Sequence, residues 1–150
     1  MGNTESLIHI HMCDDDPDDR LLFEDAISEA NLMNEVSFTE DGQQLMDFLN
    51  RQGDYQHQLE KELPDIILLD LNMPRKDGRE ALKEIKDNTK FRHIPVVILT
   101  TSKHEEDVFK SYDLGANSYI TKPVTFEKLV ELVKQLSAYW FKIVKLPENS

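Results

Sequence analysis

The chain has 150 residues, of which 39% are hydrophobic, and this size suits one globular domain over residues 1–150 without a second folded unit. Its 29 acidic and 17 basic residues give a net charge of −12, which repels nucleic acids and anionic membranes, so neither is an expected partner. No apolar run approaches the roughly 18 residues of a membrane span, and the first residues lack the character of a signal peptide. A single cysteine, Cys13, excludes an internal disulfide, so we expect a cytoplasmic protein.

The N-terminal segment predicts a strand followed by a helix. Leu7 to Cys13 has the alternating pattern of a strand and runs into the acidic segment Asp14-Asp15-Asp16-Pro17. Asp16 can serve as the N-cap of the first helix, with Pro17 as its first residue. The apolar face of this helix consists of Leu22, Phe23, Ala26, Ile27 and Ala30.

A second strand–helix unit follows. Its strand is shorter and is predicted from Val36 to Thr39. Asp41 and Gln44 resemble a capping box at the start of the second helix. The apolar side of that helix consists of Leu45, Phe48 and Leu49. Gly53 to Leu63 is polar and has no clear period, so it predicts a loop or an extension of the helix.

The middle of the chain predicts a buried strand that ends in a single acid. Between Asp65 and Asp70, four consecutive apolar residues lead directly to Asp70. Such a run is typical of a parallel strand that is covered on both faces. Because buried acids are uncommon unless they are paired, bind a metal or take part in chemistry, Asp70 is a candidate functional residue. Asp77 and Glu80 then predict a capping box at the start of the third helix.

The C-terminal part predicts two more strands and two more helices. Pro95 to Leu99 is the fourth strand, and it ends beside a run of hydroxyl residues. A helix is predicted from about His104 to Leu114, where Gly115 suits a left-handed C-terminal cap. Asn117 to Thr121 is the fifth strand, and Phe126 to about Leu146 is a long final helix.

Five strands that alternate with five helices predict a doubly wound three-layer sandwich, with a parallel sheet covered on both faces. In the flavodoxin-like strand order 2-1-3-4-5, strands one and three are neighbours, and ligands bind at the carboxyl ends of the strands. This order places Asp14 and Asp15 beside Asp70. Because adjacent carboxylates need a counter-charge, we expect a divalent cation, with Mg²⁺ as the natural candidate. The backbone carbonyl of Asn72 is a candidate further ligand.

The ends of the fourth and fifth strands add complementary groups to the same edge. Thr100 offers a hydroxyl group and Lys122 offers an ammonium group. An acidic nucleophile, a cation, a hydroxyl and a lysine are the groups needed to receive a phosphoryl group, because this transfer depends on positioning and charge neutralisation. We therefore predict that Asp70 attacks a phosphoryl donor and becomes an acyl phosphate.

The short motifs at these strand ends together resemble the CheY-like receiver domain of response regulators. The likeness covers nearly the whole chain and lies in Asp14-Asp15, Leu69 to Pro74, Asp77-Gly78, Leu99 to Thr101, Tyr119 and Lys122-Pro123. Within the family, the chain is most similar to stand-alone receivers of the cyanobacterial phytochrome response regulator type. That narrower likeness lies in Leu99 to Ser102, Ser111 to Asn117 and Trp140 to Pro147.

The resemblance implies a two-component phosphorelay response regulator without an output domain. A sensor histidine kinase would phosphorylate Asp70, and a phytochrome-like, light-sensing kinase is one candidate. Asp15 and Asp70 would bind Mg²⁺ directly, whereas Asp14 would act largely through water. Lys122 would contact the phosphoryl group. Such a domain assists its own phosphorylation and dephosphorylation, and it is a signalling substrate rather than an enzyme.

The resemblance also implies a conformational switch. Thr100 and Tyr119 would form the switch pair, and phosphorylation would change the face made by the fourth helix, the fifth strand and the fifth helix. The peptide bond before Pro123 would be cis, which is a minority form in folded chains.

The final helix predicts a further contact surface. Its apolar stripe runs from Phe126 to Val144 and extends past the expected end of the sheet. We prefer a symmetric homodimer through the fourth helix, fifth strand and fifth helix. Folding of the helix back onto its own domain is the alternative.

Other functions remain open from the sequence. A phosphatase of the haloacid dehalogenase type also uses a strand-end aspartate and Mg²⁺, but it needs a second acid two residues later, where this chain has Asn72. An unphosphorylated scaffold of the same fold is a second alternative. His9, His11 and Cys13 share one face of the first strand, yet we expect packing or hydrogen bonds there rather than zinc, because helices should cover that face.

Overall fold

The computed structural model describes residues 8–30, 34–58, 62–102, 104–122 and 125–138. Within them, five β-strands alternate with five α-helices, and one 3-10 helix follows the second α-helix. The elements in chain order are β1 Ile8–Cys13, α1 Pro17–Ala30, β2 Asn34–Thr39, α2 Gly42–Asn50, the 3-10 helix Gly53–Gln58, β3 Ile66–Leu69, α3 Gly78–Asp87, β4 Val96–Thr100, α4 Glu105–Asp113, β5 Ser118–Thr121 and α5 Phe126–Ala138.

The sheet has the order β2-β1-β3-β4-β5, and each neighbouring pair of strands is parallel. The predicted flavodoxin-like, doubly wound fold is therefore confirmed. In the register of β1 and β3, Cys13 lies opposite Leu69, so the two strands end at the same level. The residues that follow these ends, Asp14 and Asp70, consequently emerge side by side.

Two apolar clusters fill the space between the sheet and its helices. Successive strand residues point to opposite faces, so Ile66 and Leu68 pack with α1 and α5, whereas Ile67 and Leu69 pack with α2 and α3. The predicted apolar face of α1 is confirmed, because its buried residues are Phe23, Ala26, Ile27 and Ala30. The sheet is thus covered on both sides, as a three-layer sandwich requires.

Short-range hydrogen bonds explain where α1 and α3 begin. Oδ1 of Asp16 accepts a hydrogen bond from the backbone N–H of Asp18 at 2.9 Å, as expected for an N-cap before Pro17. Asp77 and Glu80 form the predicted capping box at the start of α3. Both helix starts follow from residues that are close in sequence.

The start of α2 differs in one detail from the predicted capping box. Oδ1 of Asp41 accepts a hydrogen bond from the N–H of Gln44 at 2.9 Å, as expected. The side chain of Gln44, however, accepts from the N–H of Glu40 at 2.8 Å rather than from that of Asp41. The side chain of Gln44 therefore pairs with the backbone N–H of the residue before the N-cap.

The structure moves several predicted boundaries. β3 ends at Leu69, so Asp70 lies just beyond the strand. The alternation of strand side chains between the two faces of the sheet therefore does not fix the direction of its side chain. β2 begins at Asn34, two residues before the prediction, because it pairs with β1 along its full length. The polar segment predicted as a loop or helix extension begins with the 3-10 helix Gly53–Gln58. α4 begins at Glu105.

Three predictions fall outside the described residues. They concern Leu7 at the start of the first strand, the cis bond before Pro123, and residues 139–146 of the final helix. The described part of that helix, Phe126–Ala138, begins at the predicted residue.

Two close backbone approaches hold the segment between β3 and α3. The N–H of Gly78 donates to the carbonyl of Leu71 at 2.9 Å, and a Cβ on Gly78 would lie 2.1 Å from the carbonyl oxygen of Asp70. The N–H of Gly42 donates to the carbonyl of Lys76 at 2.8 Å, and a Cβ there would lie 2.3 Å from that oxygen. Gly78 lets the two ends of this segment approach each other, and Gly42 lets the segment lie against the start of α2.

Candidate functional site

Three carboxylates meet at the carboxyl ends of β1 and β3. One oxygen from each of Asp14, Asp15 and Asp70 lies within 4.8 Å of the other two. The backbone N–H of Asp14 donates to the carbonyl of Thr39 at 3.1 Å, and the N–H of Asp70 donates to that of Cys13 at the same distance. Asp14 and Asp70 are buried, whereas Asp15 is exposed. The three acids lie together, as the strand order predicted, and the cluster is open to solvent at Asp15.

The ammonium group of Lys122 lies among these carboxylates. Its Nζ donates to Oδ2 of Asp14 and to Oδ2 of Asp19, each at 2.6 Å. It lies 3.4 Å from Oδ2 of Asp70. The backbone N–H of Lys122 donates to the carbonyl of Thr100 at 2.7 Å, which fixes the residue at the end of the sheet. The site therefore has a positive group within hydrogen-bond distance of three carboxylates.

Asp19 is a site residue that the sequence analysis missed. It lies in the first turn of α1, and its side chain is 32% exposed. The acidic stretch from Asp14 to Asp19 precedes and begins a helix that starts at the functional edge of the sheet. That placement indicates that one of these acids could belong to the site. It does not indicate which of them contacts Lys122.

The electrostatics of the site follow from burial and from these contacts. Burial raises the pKa of Asp14 above its ordinary value, although the hydrogen bond from Lys122 acts in the opposite direction. Burial alone would lower the pKa of Lys122, but its hydrogen bonds with Asp14 and Asp19 outweigh this and hold that pKa above its ordinary value. The lysine therefore stays charged, and Asp14 depends on a positive neighbour.

Thr100 is connected to Asp70 through Asn72. Thr100 is fully buried, and its Oγ1 lies 3.5 Å from Nδ2 of Asn72 and 3.5 Å from the backbone nitrogen of Ser102. The backbone N–H of Asn72 donates to Oδ1 of Asp70 at 3.1 Å. Lys122 contacts Asp70 directly, whereas the hydroxyl of Thr100 contacts the side chain of Asn72.

Tyr119 lies in a hydrogen-bonded network beside the carboxylate cluster. Its hydroxyl donates to the carbonyl of Ser102 at 3.1 Å, and its half-buried ring packs against the core. The hydroxyl of Ser102 donates to Asp107, whose carboxylate also accepts two hydrogen bonds from Arg79 at 2.8 and 2.9 Å. This network joins β5, the segment after β4, α4 and α3. Arg79 and Asp107 were not predicted as site residues from the sequence, because both lie inside helices.

The polar face of β1 is held by hydrogen bonds. Nε2 of His9 and Nδ1 of His11 lie 2.7 and 2.6 Å from the hydroxyl oxygen of Ser37. The thiol of Cys13 donates to the carbonyl of Asp41 at 3.3 Å. The expected use of this face in packing and hydrogen bonding is confirmed. Within the described ranges, the acid, histidine and cysteine side chains that come together at metal-ligand distances are those of the aspartate cluster.

Comparison with known families explains this combination of side chains. The model of the response regulator receiver domain matches residues 10–134, which is most of the chain. The chain belongs to the response-regulator receiver family. The matched range contains the whole site of this receiver, from Asp14 to Lys122, and it gives no support to the phosphatase alternative.

Individual relatives of this receiver are similar over almost their full length. Response regulator Rcp1 of Synechocystis sp. is 40% identical over 138 residues, which are 92% of each chain. The crystal structure of the phosphorylated cyanobacterial phytochrome response regulator RcpA has a TM-score of 0.83 at 39% identity, and the match covers 95% of this chain and 99% of that chain. The Mn²⁺-bound form of response regulator Rcp1 has a TM-score of 0.80 at 39% identity, with 93% and 99% covered.

The acidic cluster of this receiver fits a divalent cation. Hard cations take oxygen ligands, and three carboxylates within 4.8 Å of one another provide them. Asp14 and Asp70 would contribute from the buried side, whereas Asp15 would contribute from the solvent side. None of the helices within the described ranges has the length and apolar character needed to cross a bilayer.

Proposed function

We propose that this receiver accepts a phosphoryl group from a sensor histidine kinase on Asp70. The observation that carries the proposal is the position of Lys122, whose Nζ lies 3.4 Å from Oδ2 of Asp70 beside the other strand-end acids. Asp70 is only 7% exposed, so its own side chain is largely shielded from bulk water. An ammonium group next to such a nucleophile can stabilise the charge on a phosphoryl group in transit.

In the proposed reaction, a carboxylate oxygen of Asp70 attacks the phosphorus of a phosphohistidine on the kinase. The new O–P bond forms as the P–N bond breaks, and the imidazole nitrogen keeps the electron pair and takes up a proton. Lys122 holds its ammonium group near the phosphoryl oxygens, and the hydroxyl of Thr100 donates a hydrogen bond to one of them. The product is an acyl phosphate on Asp70.

Mg²⁺ is the proposed cation of the site. Asp15 and Asp70 would bind it directly, Asp14 would act largely through water, and the backbone carbonyl of Asn72 would be a further ligand. When bound, the cation supplies positive charge beside the phosphoryl oxygens. Support comes from the closeness of the carboxylates and from the Mn²⁺-bound form of the relative Rcp1, since Mn²⁺ and Mg²⁺ both prefer oxygen ligands.

Phosphorylation is proposed to change the face of α4, β5 and α5. Thr100 would move toward a phosphoryl group on Asp70, since its hydroxyl makes long contacts, of 3.5 Å, with Asn72 and with the backbone of Ser102 in this structure. Ser102 follows two residues later, and its carbonyl accepts the hydrogen bond from Tyr119. Movement of Thr100 would therefore disturb the contact that holds Tyr119, which supports this pair as the switch.

The proposed partners rest on the similarity to phytochrome response regulators and on the surface charge of the chain. RcpA is described as a phytochrome response regulator, so a phytochrome-like histidine kinase is the proposed donor. We propose that residues 1–150 form one receiver domain that acts in the cytoplasm and assembles as a homodimer through α4, β5 and α5. The net charge of −12 favours protein partners over nucleic acid.

Incubation of the protein with acetyl phosphate tests the proposed function. We expect mass spectrometry to find one phosphoryl adduct, located on Asp70, that forms with Mg²⁺ and fails to form when EDTA removes the metal. Asp70→Asn should abolish the adduct, because an amide is a poor nucleophile. Asp113→Asn, the same change at an exposed acid at the end of α4, should leave it intact. An unmodified wild-type chain, or an adduct at another residue, would reject the proposal and favour the scaffold alternative.

A further inference from the structure

Lys122 lies closer to Asp19 than to Asp70. The Nζ–Oδ2 distance is 2.6 Å to Asp19 and 3.4 Å to Asp70. Asp19 lies on α1 and is not part of the carboxylate cluster of Asp14, Asp15 and Asp70. The proposed phosphoryl reaction needs the ammonium group at Asp70, yet the structure shows it shared with an acid on a neighbouring helix.

We propose that Asp19 is a positioning residue that holds Lys122 in the unmodified protein and competes with the phosphoryl group for its ammonium. This inference rests on the proposed phosphorylation of Asp70. Asp19 thereby sets how readily Lys122 moves to the acceptor, and so it sets the rate of phosphoryl uptake without touching the reacting atoms.

The charges around Lys122 support this competition. A divalent cation at Asp14, Asp15 and Asp70 would offset their charge and weaken the hold of Asp14 on the lysine. Asp19 lies outside that cluster, so its attraction for Lys122 would persist when the cation is bound. A phosphoryl group brings a charge of about −1.5 to −2 and strong acceptor oxygens, which can draw the ammonium away from a single carboxylate.

Open space adjoins the contact between Asp19 and Lys122. A cavity of about 340 Å³ lies between α1 and α5, and its wall contains both Asp19 and Lys122. The side chain of Lys122 is 10% exposed and that of Asp19 is 32% exposed. The contact between Lys122 and Asp19 therefore borders open space, so the lysine can leave Asp19 on that side.

Removal of the charge on Asp19 should release Lys122 toward Asp70. We expect Asp19→Asn to raise the rate constant of acyl phosphate formation with acetyl phosphate, at saturating Mg²⁺, by about two- to fivefold, the range for loss of one partly exposed ion pair. Asp19→Glu retains the charge and should behave more like the wild type. Asp18→Asn is the matched control, because it removes the same charge from an exposed acid in the same turn of α1.

A Lys122→Met background separates positioning from a general effect of charge. If Asp19 acts through Lys122, Asp19→Asn should give no gain in that background. Asp19→Ala, which keeps high helix propensity, replaces Asn if circular dichroism shows that the amide disturbs α1.

The outcomes distinguish this inference from the function on which it rests. A wild-type chain that takes up no phosphoryl group rejects the proposed function. Uptake on Asp70 with equal rates for Asp19→Asn and wild type overturns only the role of Asp19. An equal gain from Asp18→Asn, or a gain that persists without Lys122, overturns it as well.

Discussion

The side chain of His11 is a buried polar group whose environment keeps it neutral. It is 0% exposed, its Nδ1 lies 2.6 Å from the hydroxyl oxygen of Ser37, and its Nε2 lies 2.9 Å from that of Thr39. The ring of Phe48 stacks on it with a centroid distance of 4.2 Å. Each ring nitrogen therefore has a hydroxyl partner, and a charged imidazolium would have no carboxylate partner in these contacts.

The pKa of His11 reflects this environment. Burial, followed by the nearby charges of His9 and Arg51, lowers the pKa of His11 from 6.5 to about 3. Because the folded pKa lies below the unfolded value, the unfolded chain binds the proton first as the pH falls. The free energy of unfolding is therefore unaffected by His11 above pH 6.5 and decreases progressively between pH 6.5 and about pH 3.

We predict that His11 contributes a loss of about 1 kcal/mol in the free energy of unfolding between roughly pH 7.5 and pH 5.5. Urea unfolding at the two pH values measures this loss. In His11→Gln the difference between the two values should shrink by that amount, whatever the absolute stability of the variant. His93→Gln, at an exposed histidine, should retain the wild-type difference. An undiminished difference in His11→Gln would contradict the prediction.

The helix α4 is attached to the rest of the protein through Asp107. Its N-cap residue, His104, makes no side-chain capping hydrogen bond. Asp107 instead accepts two hydrogen bonds from Arg79 of α3 and one from Ser102. The hydrogen bonds from Arg79 and then from Ser102 lower the pKa of Asp107 to about 2. The carboxylate therefore stays charged at neutral pH and fixes the N-terminal end of α4.

Loss of the charge on Asp107 should loosen α4 more than the other helices. We predict that Asp107→Asn speeds amide hydrogen exchange in Glu105–Asp113 and lowers the free energy of unfolding by about 1–2 kcal/mol, because a charged acceptor of three hydrogen bonds is lost. Exchange in α1 should change little. Mass spectrometry of the exchanged peptides measures the exchange in α4 and in α1.

Asp113→Asn is the control for this measurement, because it makes the same substitution at the exposed C-terminal end of the same helix. It should not speed exchange in α4, since a negative charge is unfavourable at a helix C-terminus. Equal exchange of α4 in Asp107→Asn and wild type would show that the contacts with Arg79 do not hold the helix.

At the level of the assembled molecule, β5 forms an edge of the sheet. It pairs with β4 on one side, and three of its four residues, Ser118, Tyr119 and Ile120, are only half-buried. Tyr112 on the neighbouring α4 is 48% exposed. An edge strand beside an exposed aromatic side chain is a surface on which a second chain can bury apolar area. This placement is the structural basis for the proposed homodimer.

We predict a monomer–dimer equilibrium at micromolar concentration that Tyr112→Ser shifts toward the monomer. Sedimentation velocity, with and without acetyl phosphate and Mg²⁺, measures it. Because each chain has a net charge of −12, higher salt should favour the dimer by screening repulsion. Leu21→Ser is the control, since Leu21 is 58% exposed on α1 and lies outside the proposed interface. A monomer under all these conditions would exclude the homodimer.

Much of this architecture was determined by the sequence itself. The alternation of apolar strands with amphipathic helices predicted a doubly wound sandwich, and the flavodoxin-like strand order placed Asp14 and Asp15 beside Asp70. The Asp77–Glu80 capping box was predicted in full. These features follow from periodicity and from contacts between residues close in sequence, which the local pattern specifies.

Only the tertiary structure decided the partners of the site's side chains. Asp19 and Lys122 are 103 residues apart in sequence, and Arg79 and Asp107 are 28 apart. Both pairs form because helices pack at particular angles and turn one of several similar acids toward a cation. Sequence periodicity specifies which face of a helix is apolar. It does not specify which partner the charged end of a polar side chain on the opposite face contacts. That position depends on the packed neighbours, and here it decides which carboxylate holds the lysine.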